Sequence, residues 1–244
     1  MHSQPTIAPQ SSDVSTPTLK AALWDMDGTL VDTEPYWIAA ETELVTSHGG
    51  EWDDERALGL VGRALDDSAA ILQEAGVRMT VREIIDFLTG RVVAEIRREV
   101  PWRPGARELL HDLHTSGVRC ALVTMSEGPL AQEIVDALPA PYFEFLVTGD
   151  QVSRGKPDPE PYLLAVERLR QADPALTIAD CVALEDSVPG VASAMAAGLA
   201  TIGIPHAVPL PADDNRITWE TLAGSTADHV RRAVAERNFR GAAL

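Results

Sequence analysis

Residues 21–33 read AALWDMDGTLVDT, and this stretch predicts the fold. A short apolar run, Ala21 to Trp24, ends on two aspartates, Asp25 and Asp27, and a Gly-Thr turn follows. Such a pattern is typical of a buried strand that delivers carboxylates at its carboxyl end. In an open α/β sheet, that end of a strand borders the crevice in which ligands bind.

The two neighbouring aspartates also predict a cation. Two carboxylates so close repel each other, so at neutral pH they need a cation between them or a raised pKa on one of them. A hard divalent cation such as Mg2+ accepts oxygen ligands and removes that conflict. An acidic pair in an exposed surface turn is the alternative interpretation, and the Asp-x-Asp pattern alone does not choose between the two.

Composition excludes several partners. The 244 residues suffice for one large domain or two unequal ones. With 20 Lys+Arg against 37 Asp+Glu, the net charge of -17 argues against binding to nucleic acid or to anionic membranes. Because the chain carries this net negative charge, an anionic substrate must meet a local positive site. No apolar stretch approaches the length of a membrane span.

The chain start and the cysteines indicate the compartment. Residues 1–18 are rich in Ser, Thr, Pro and Gln, which predicts a disordered tail and not a signal peptide. Cys120 and Cys181 each lie in an apolar, strand-like run. We interpret them as reduced core thiols of a cytoplasmic protein, with a disulfide as the alternative.

Residues 34–100 predict a helical block. Apolar residues recur there at helical spacing and no strand-like run interrupts them. The segment Pro101-Trp102-Arg103-Pro104-Gly105 ends the block, because its prolines stop one helix and start another. The predicted helices are Tyr36–Ser47, Asp66–Ala75 and Thr80–Glu99, the last opening with a capping-box pattern.

Strands and helices alternate after residue 105. This alternation predicts right-handed βαβ crossovers and a parallel sheet. The predicted fold class is α/β, with a doubly wound (Rossmann-like) core from 19–33 and 101–244 and an inserted helical cap from 34–100. The predicted strands are 118–124, 144–148, 180–185, 199–204 and 216–218, and the predicted helices are 105–115, 128–137, 160–171, 188–196 and 227–240.

Several of these strands end in polar residues. Because parallel strands place their carboxyl ends on one edge of the sheet, we expect these side chains to converge. Lys156 is one of only two lysines in the chain, which suggests a site that needs a compact ammonium group and not a planar guanidinium. The residues expected to converge are Asp25, Asp27, Thr124, Lys156, Glu185 and Asp186.

Four segments, in this order, resemble the motifs of the haloacid dehalogenase-like superfamily. The resemblance is to its small-molecule phosphatase and phosphomutase branch, and it covers residues 20 to about 205. Met125 departs from the pattern, because relatives often carry a polar residue there. The four segments are DMDGTL at 25–30, VTMS at 123–126, GKPDP at 155–159 and LEDSVPG at 184–190.

The resemblance implies a phosphoryl-transfer mechanism in which Asp25 attacks phosphorus and becomes an aspartyl phosphate. It implies that Asp27 protonates the leaving alkoxide and then deprotonates water. Asp186 is expected to hold Mg2+ together with Asp25 and the backbone carbonyl of Asp27.

The resemblance also implies supporting roles. Thr124 is expected to donate its hydroxyl to the phosphate, and Lys156 to neutralise charge and shield Asp25. Ser126 is expected to contact substrate. Glu185 is placed beside the substrate and metal, either as an outer ligand or as a residue that orients the metal shell.

The cap residues bear on the substrate. Arg63 lies in a glycine-flanked loop where relatives contact substrate, with a solvated arginine as the alternative, and Trp37 is expected near the leaving group. The implied function is a Mg2+-dependent phosphatase for a small phosphorylated metabolite: a sugar, polyol or glycolate phosphate. We expect a monomer or weak homodimer.

A β-phosphoglucomutase-like phosphomutase is the closest alternative function. Mutases of this branch carry a histidine where this chain has Trp37, and they more often have a β-branched apolar residue after the glycine of the first motif, where this chain has Thr29. An indole cannot accept or relay a proton, which favours hydrolysis. A non-catalytic regulatory or binding relative is the remaining alternative, but it is expected to have lost a motif residue and none is lost.

Overall fold

The fold is built on a six-stranded, all-parallel sheet. The structure, a computed structural model, describes the backbone of residues 19–241 and side chains up to residue 237. The predicted tail 1–18 lies outside the described residues. The strands are β1 (Ala21–Trp24), β2 (Arg119–Val123), β3 (Phe143–Val147), β4 (Cys181–Glu185), β5 (Ala200–Gly203) and β6 (Ile217–Thr218), in the spatial order β3-β2-β1-β4-β5-β6.

Helices cover both faces of the sheet, because alternate residues of the buried strands point to opposite sides. The helices of the core are α5 (Ala106–Thr115), α6 (Gly128–Asp136), α7 (Glu160–Ala172), α8 (Val188–Ala196) and α9 (Ala227–Gly241). Ala22 and Trp24 pack on the face that carries α5, α6 and α9, whereas Ala21 and Leu23 pack on the face of α7 and α8. The predicted doubly wound fold class is confirmed.

Four helices lie between β1 and α5, in residues that the structure describes without a gap. They are α1 (Glu34–Ser47), α2 (Asp54–Leu58), α3 (Leu65–Glu74) and α4 (Val81–Ile96). Thr80 and Glu83 form the predicted capping box of α4. The inserted helical cap is confirmed, whereas the exact domain boundaries 34–100 and 101–244 stay a prediction.

The cap differs from prediction in two details. The helix predicted over Thr80–Glu99 ends at Ile96. The sequence does not predict the five-residue α2, because it is too short to show helical periodicity; Asp53 caps it by accepting a hydrogen bond from the Arg56 N–H at 2.9 Å.

The chain enters and leaves the cap at one place. Val31 forms an antiparallel bridge with Trp102. The Asp32 N–H donates to the Pro101 carbonyl at 2.7 Å, and the Arg103 N–H donates to the Leu30 carbonyl at 3.0 Å. The two chain segments that join β1 to α1 and α4 to α5 are therefore hydrogen-bonded to each other, and we refer to this junction as the hinge.

The register of the sheet aligns the polar strand ends. Trp24 at the end of β1 pairs with Leu122 of β2 on one side and with Leu184 of β4 on the other. The residues that follow these three strands therefore meet at one edge.

Two further features concern the cysteines and the helices. Cys120 and Cys181 are free, buried thiols, and burial raises the pKa of each to about 12.

Across the part of the chain that the structure describes, no helix has both the length and the apolarity to cross a membrane.

Candidate active site

Three carboxylates lie together at the carboxyl ends of β1 and β4. Asp25, Glu185 and Asp186 are all buried, and each offers an oxygen within 4.8 Å of the others. Oδ2 of Asp25 and Oδ2 of Asp186 are buried without a hydrogen-bond partner among the described residues. Buried carboxylate oxygens without partners are costly, so this group has the donor set and the free oxygens that a hard cation satisfies.

Lys156 supplies the positive charge of this site. Its Nζ donates to Asp25 Oδ1 at 2.6 Å, to Glu185 Oε1 at 2.7 Å and to the Val123 carbonyl at 2.9 Å. Burial acts to lower the pKa of the amine, but the charges of Asp25 and Glu185 outweigh that effect and raise it. Lys156 is therefore a permanent cation with all three donors in use.

One cation does not balance three carboxylates. Burial, followed by the charge of Glu185, raises the pKa of Asp25 to about 7, although Lys156 acts in the opposite direction. Burial and the charges of Asp25 and Glu185 raise the pKa of Asp186 well above its usual value. The residual negative charge lies among Asp25, Glu185 and Asp186, and not mainly between Asp25 and Asp27 as the Asp-x-Asp pattern predicts.

Asp27 points away from the three carboxylates, towards the cap. Its Oδ1 accepts hydrogen bonds from Thr33 Oγ1 at 2.5 Å and from Trp37 Nε1 at 3.2 Å. Its Oδ2 accepts from Ser126 Oγ at 2.8 Å and from Thr124 Oγ1 at 3.2 Å. The Asp27 carboxylate is thus held between core and cap, and only its backbone carbonyl remains for the predicted metal contact.

The turn after β1 requires glycine. Gly28 has a φ of +86°, and a Cβ at this position would overlap the Oδ2 atom of Asp186. The next residue, Thr29, donates its hydroxyl to Asp186 Oδ1 at 3.0 Å. The turn therefore brings the backbone close to Asp186 and fixes the orientation of that carboxylate.

A small cavity separates these residues from the cap. Its volume is about 60 Å³, far below the ~300–1,000 Å³ of ligand pockets. Arg63 lies at its rim, exposed, with Nε donating to the Gly59 carbonyl at 2.7 Å. The residues that line it include Asp25, Asp27, Thr124, Ser126 and Lys156 from the core and Glu34, Trp37, Glu41, Leu60 and Arg63 from the cap.

Glu185 lies beneath the cavity and not in its wall. It is fully buried, and its Oε1 accepts hydrogen bonds from Lys156 and, at 2.6 Å, from the Tyr162 hydroxyl. This position argues against the predicted substrate contact, because Lys156 stands between the carboxylate and the cavity. The carboxylate orients Lys156, and the two expected roles, outer metal ligand or residue that orients the metal shell, stay predictions.

Thr124 and Ser126 also differ from expectation. The sequence predicts contacts from both to the phosphate or substrate, but in this arrangement both hydroxyls donate to Asp27. They line the cavity and lie beside Asp25. A contact with phosphate therefore needs their hydroxyls to turn from Asp27, and these two roles stay predictions.

Sequence reasoning gives no site role to five residues. Thr29 lies within the first motif and Thr33 lies shortly after it, and their hydroxyls are the available signal. Tyr162, Glu34 and Glu41 carry no comparable signal, because a tyrosine in one helix and two glutamates in another reach the site only through the packing of the fold.

These observations define the class of protein: a capped, doubly wound α/β enzyme with carboxylates and a lysine at the carboxyl edge of its sheet. The model of the family "Haloacid dehalogenase-like hydrolase" matches residues 22–204. The chain belongs to this family of hydrolases.

Individual relatives agree with that membership. The chain is 33% identical over 196 residues to the phosphorylated carbohydrates phosphatase of Thermotoga maritima, covering 78% of this chain and 87% of the relative. It is 31% identical over 214 residues to hexitol phosphatase A of Escherichia coli strain K12, covering 81% and 87%. The crystal structure of CbbY from Rhodobacter sphaeroides in complex with phosphate is similar with a TM-score of 0.74 at 27% identity, covering 85% of this chain and 96% of the other.

Proposed function

We propose that this chain is a Mg2+-dependent phosphatase that hydrolyses a small phosphorylated metabolite through an aspartyl phosphate on Asp25. The observation that carries the proposal is the arrangement of the Asp25 carboxylate, which lines the cavity. Its Oδ1 accepts a hydrogen bond from Lys156, and its Oδ2 is buried without a hydrogen-bond partner among the described residues. The names of the two phosphatase relatives support the same reaction class.

The donor set fits Mg2+, because it consists of carboxylate oxygens, two of them unpartnered within the described part of the chain. Asp25 and Asp186 would hold the ion, with the Asp27 carbonyl as the predicted third protein ligand and Glu185 behind Lys156. Bound there, the ion supplies positive charge against the phosphoryl oxygens and offsets the excess negative charge of the site.

The first chemical step is attack by a carboxylate oxygen of Asp25 on phosphorus. The bond between phosphorus and the ester oxygen breaks, and the leaving alkoxide takes a proton from Asp27. Lys156 keeps Asp25 oriented and reduces its repulsion with the incoming dianion, which in a dry site otherwise costs several kcal/mol.

The second step hydrolyses the aspartyl phosphate. Asp27, now deprotonated, takes a proton from water, and the water oxygen attacks phosphorus. The bond between phosphorus and Asp25 breaks, which releases inorganic phosphate and restores the carboxylate. Because Asp27 is held by hydrogen bonds from both core and cap, its orientation depends on the position of the cap.

The test is hydrolysis of p-nitrophenyl phosphate with and without Mg2+. We expect turnover that EDTA abolishes and Mg2+ restores, and we expect Asp25→Asn to lower kcat by roughly a thousandfold or more, since the amide is a poor nucleophile. Asp136→Asn, exposed at the end of α6, is the control. Equal rates for wild type and Asp25→Asn contradict the proposal.

Trp37 favours hydrolysis over phosphomutase chemistry. Its indole nitrogen donates to Asp27 Oδ1 and has no lone pair with which to accept a proton. Incubation with β-glucose 1-phosphate and a trace of the 1,6-bisphosphate separates the two functions. Free phosphate is expected; rapid glucose 6-phosphate formation with little phosphate indicates a mutase.

A further inference from the structure

We infer that His206 is a positioning residue for the proposed reaction: its imidazole joins Asp32 to Arg103 across the hinge, and this bridge orients Asp27. The inference rests on the proposed function, in which Asp27 is the acid and then the base. It assigns a role in that reaction to a histidine that lies in the loop after β5, outside the active-site cavity.

The first observation is the bridge itself. His206 Nε2 lies 2.7 Å from Asp32 Oδ1, and His206 Nδ1 lies 2.7 Å from Arg103 Nη1. Asp32 belongs to the segment that leads from β1 into the cap, whereas Arg103 belongs to the segment that returns from the cap to α5. One imidazole ring therefore holds both segments of the hinge by their side chains.

The second observation is the attachment of His206 to the sheet. Ile204, two residues earlier, is buried, and its backbone N–H donates to the Glu185 carbonyl at 2.6 Å. Pro205, whose ring restricts the backbone, connects Ile204 to His206. The imidazole is partly buried, with 21% of the side chain exposed. His206 thus belongs to the core and holds the two hinge segments against it.

The third observation is the arrangement of protons that this geometry requires. A guanidinium group only donates hydrogen bonds, so His206 Nδ1 accepts from Arg103 and carries no proton. The ring proton is then on Nε2, where it donates to the Asp32 carboxylate. The bridge therefore fixes one tautomer of the neutral imidazole, which is a property that can be measured.

The fourth observation is the short path from the bridge to Asp27. Thr33 follows Asp32 directly and is fully buried, and its hydroxyl donates to Asp27 Oδ1 at 2.5 Å. The Thr33 carbonyl accepts from the Trp37 N–H at 3.1 Å, and the Trp37 indole donates to the same Asp27 oxygen at 3.2 Å. A displacement of Asp32 therefore moves both groups that donate to Asp27 Oδ1.

The nucleophile does not share this path. Asp25 Oδ1 accepts from Lys156, and the backbone N–H of Asp25 donates to the Leu184 carbonyl at 3.0 Å. Both contacts lie within the core. Loss of the bridge is therefore expected to disturb proton transfer by Asp27 more than attack by Asp25, a pattern that a general loss of stability does not produce.

The first test is the tautomer of His206, which can be determined without any enzyme activity. Long-range 1H–15N spectra of the labelled protein at about pH 8 distinguish protonated from unprotonated ring nitrogens, and loss of signals in His206→Gln assigns them. We expect a protonated Nε2 and an unprotonated Nδ1. The opposite tautomer, or exchange between both, overturns the inference.

The second test compares two esters that differ in their need for an acid. Phenolate is a poorer leaving group than p-nitrophenolate, so kcat/KM for phenyl phosphate depends more on the proton from Asp27. We expect His206→Leu to lower the ratio of kcat/KM for phenyl phosphate to that for p-nitrophenyl phosphate by about fivefold or more, because a misplaced acid loses much of its effect.

Two further variants separate the bridge from other effects of substitution. His206→Gln keeps a donor and an acceptor in its amide, so we expect it to retain most of the ratio. His114→Gln, exposed in the last turn of α5, is the matched control. The Trp37 indole N–H signal, assigned with Trp37→Phe, is expected to shift in His206→Leu and to stay in place in His114→Gln.

The outcomes separate the two proposals. If the ratio for His206→Leu stays within about twofold of that of wild type, or if the Trp37 indole signal does not shift in that variant, His206 does not orient Asp27. The inference is then wrong, while the phosphatase proposal stands. If wild type hydrolyses neither ester in Mg2+, the phosphatase proposal fails and the inference with it.

Discussion

Glu41 binds its proton more tightly in the folded chain than in the unfolded chain. Burial raises the pKa of this carboxyl from 4.5 to about 8. Between these two values the native state holds more protons than the unfolded state, so the free energy of unfolding falls as pH rises from about 4.5 to 8. At pH values below this window Glu41 is protonated in both states, so it does not contribute to the pH dependence of the free energy of unfolding.

The corresponding prediction is a change in pH dependence. Glu41→Gln cannot ionise, so we expect its Tm to fall less than that of wild type between about pH 5 and pH 8, with a stability gain on the order of a few kcal/mol at the upper end as an upper bound. Thermal unfolding of both proteins across this range measures it, with Glu43→Gln as control. Parallel Tm curves for Glu41→Gln and wild type would show that Glu41 is ionised in the fold at neutral pH.

At the scale of elements, the turn after β1 has a steric requirement that can be tested. Gly28→Ala introduces a methyl group that overlaps Asp186 Oδ2, in a backbone with a φ of +86°. We expect Asp186 to be displaced, with Mg2+ binding weaker by about tenfold or more in calorimetric titration.

Gly49→Ala is the matched control for this variant. Gly49 has a φ of +81°, but no described atom lies within 4 Å of the place that its Cβ would take. The variant therefore isolates the cost of the left-handed backbone, about 1–2 kcal/mol. If both variants bind Mg2+ as wild type does, the close approach of Gly28 to Asp186 has no bearing on the metal.

The elements also show what sequence can and cannot predict. The strands and core helices are predictable because hydrophobic period and turn residues are local signals, and the convergence of Asp25, Lys156 and Asp186 follows from parallel strand ends. Glu34 and Glu41 are not predictable as cavity residues, because a glutamate in a helix normally indicates a solvated face. Only the packing of the cap on the core buries them.

On the scale of the whole molecule, ion pairs hold the cap against the core. Arg82 of α4 makes two hydrogen bonds to Glu127, which precedes α6, at 2.5 and 2.8 Å. Arg97 pairs with Glu133 of α6. Because the cavity is only about 60 Å³, we expect cap and core to separate when a metabolite enters and to close again around it.

We therefore expect Glu127→Gln to weaken the closed arrangement. An exposed ion pair is worth at most ~1 kcal/mol, so the expected rise in KM for the metabolite substrate is up to about fivefold, and the salt dependence of KM is expected to decrease. Asp86→Asn is the control, since Asp86 pairs with the same arginine from within α4. Equal KM values for Glu127→Gln and Asp86→Asn would show that the pair does not hold the cap.

The hinge has a consequence for exchange of parts between relatives. The segments around Val31 and Trp102 run side by side and are hydrogen-bonded to each other, so the two ends of the insertion are adjacent. A foreign cap whose own ends are equally close can be grafted at this junction without moving β1 or its carboxylates. We expect chimeras made there to take the substrate preference of the cap donor and to keep the phosphoryl chemistry of the core.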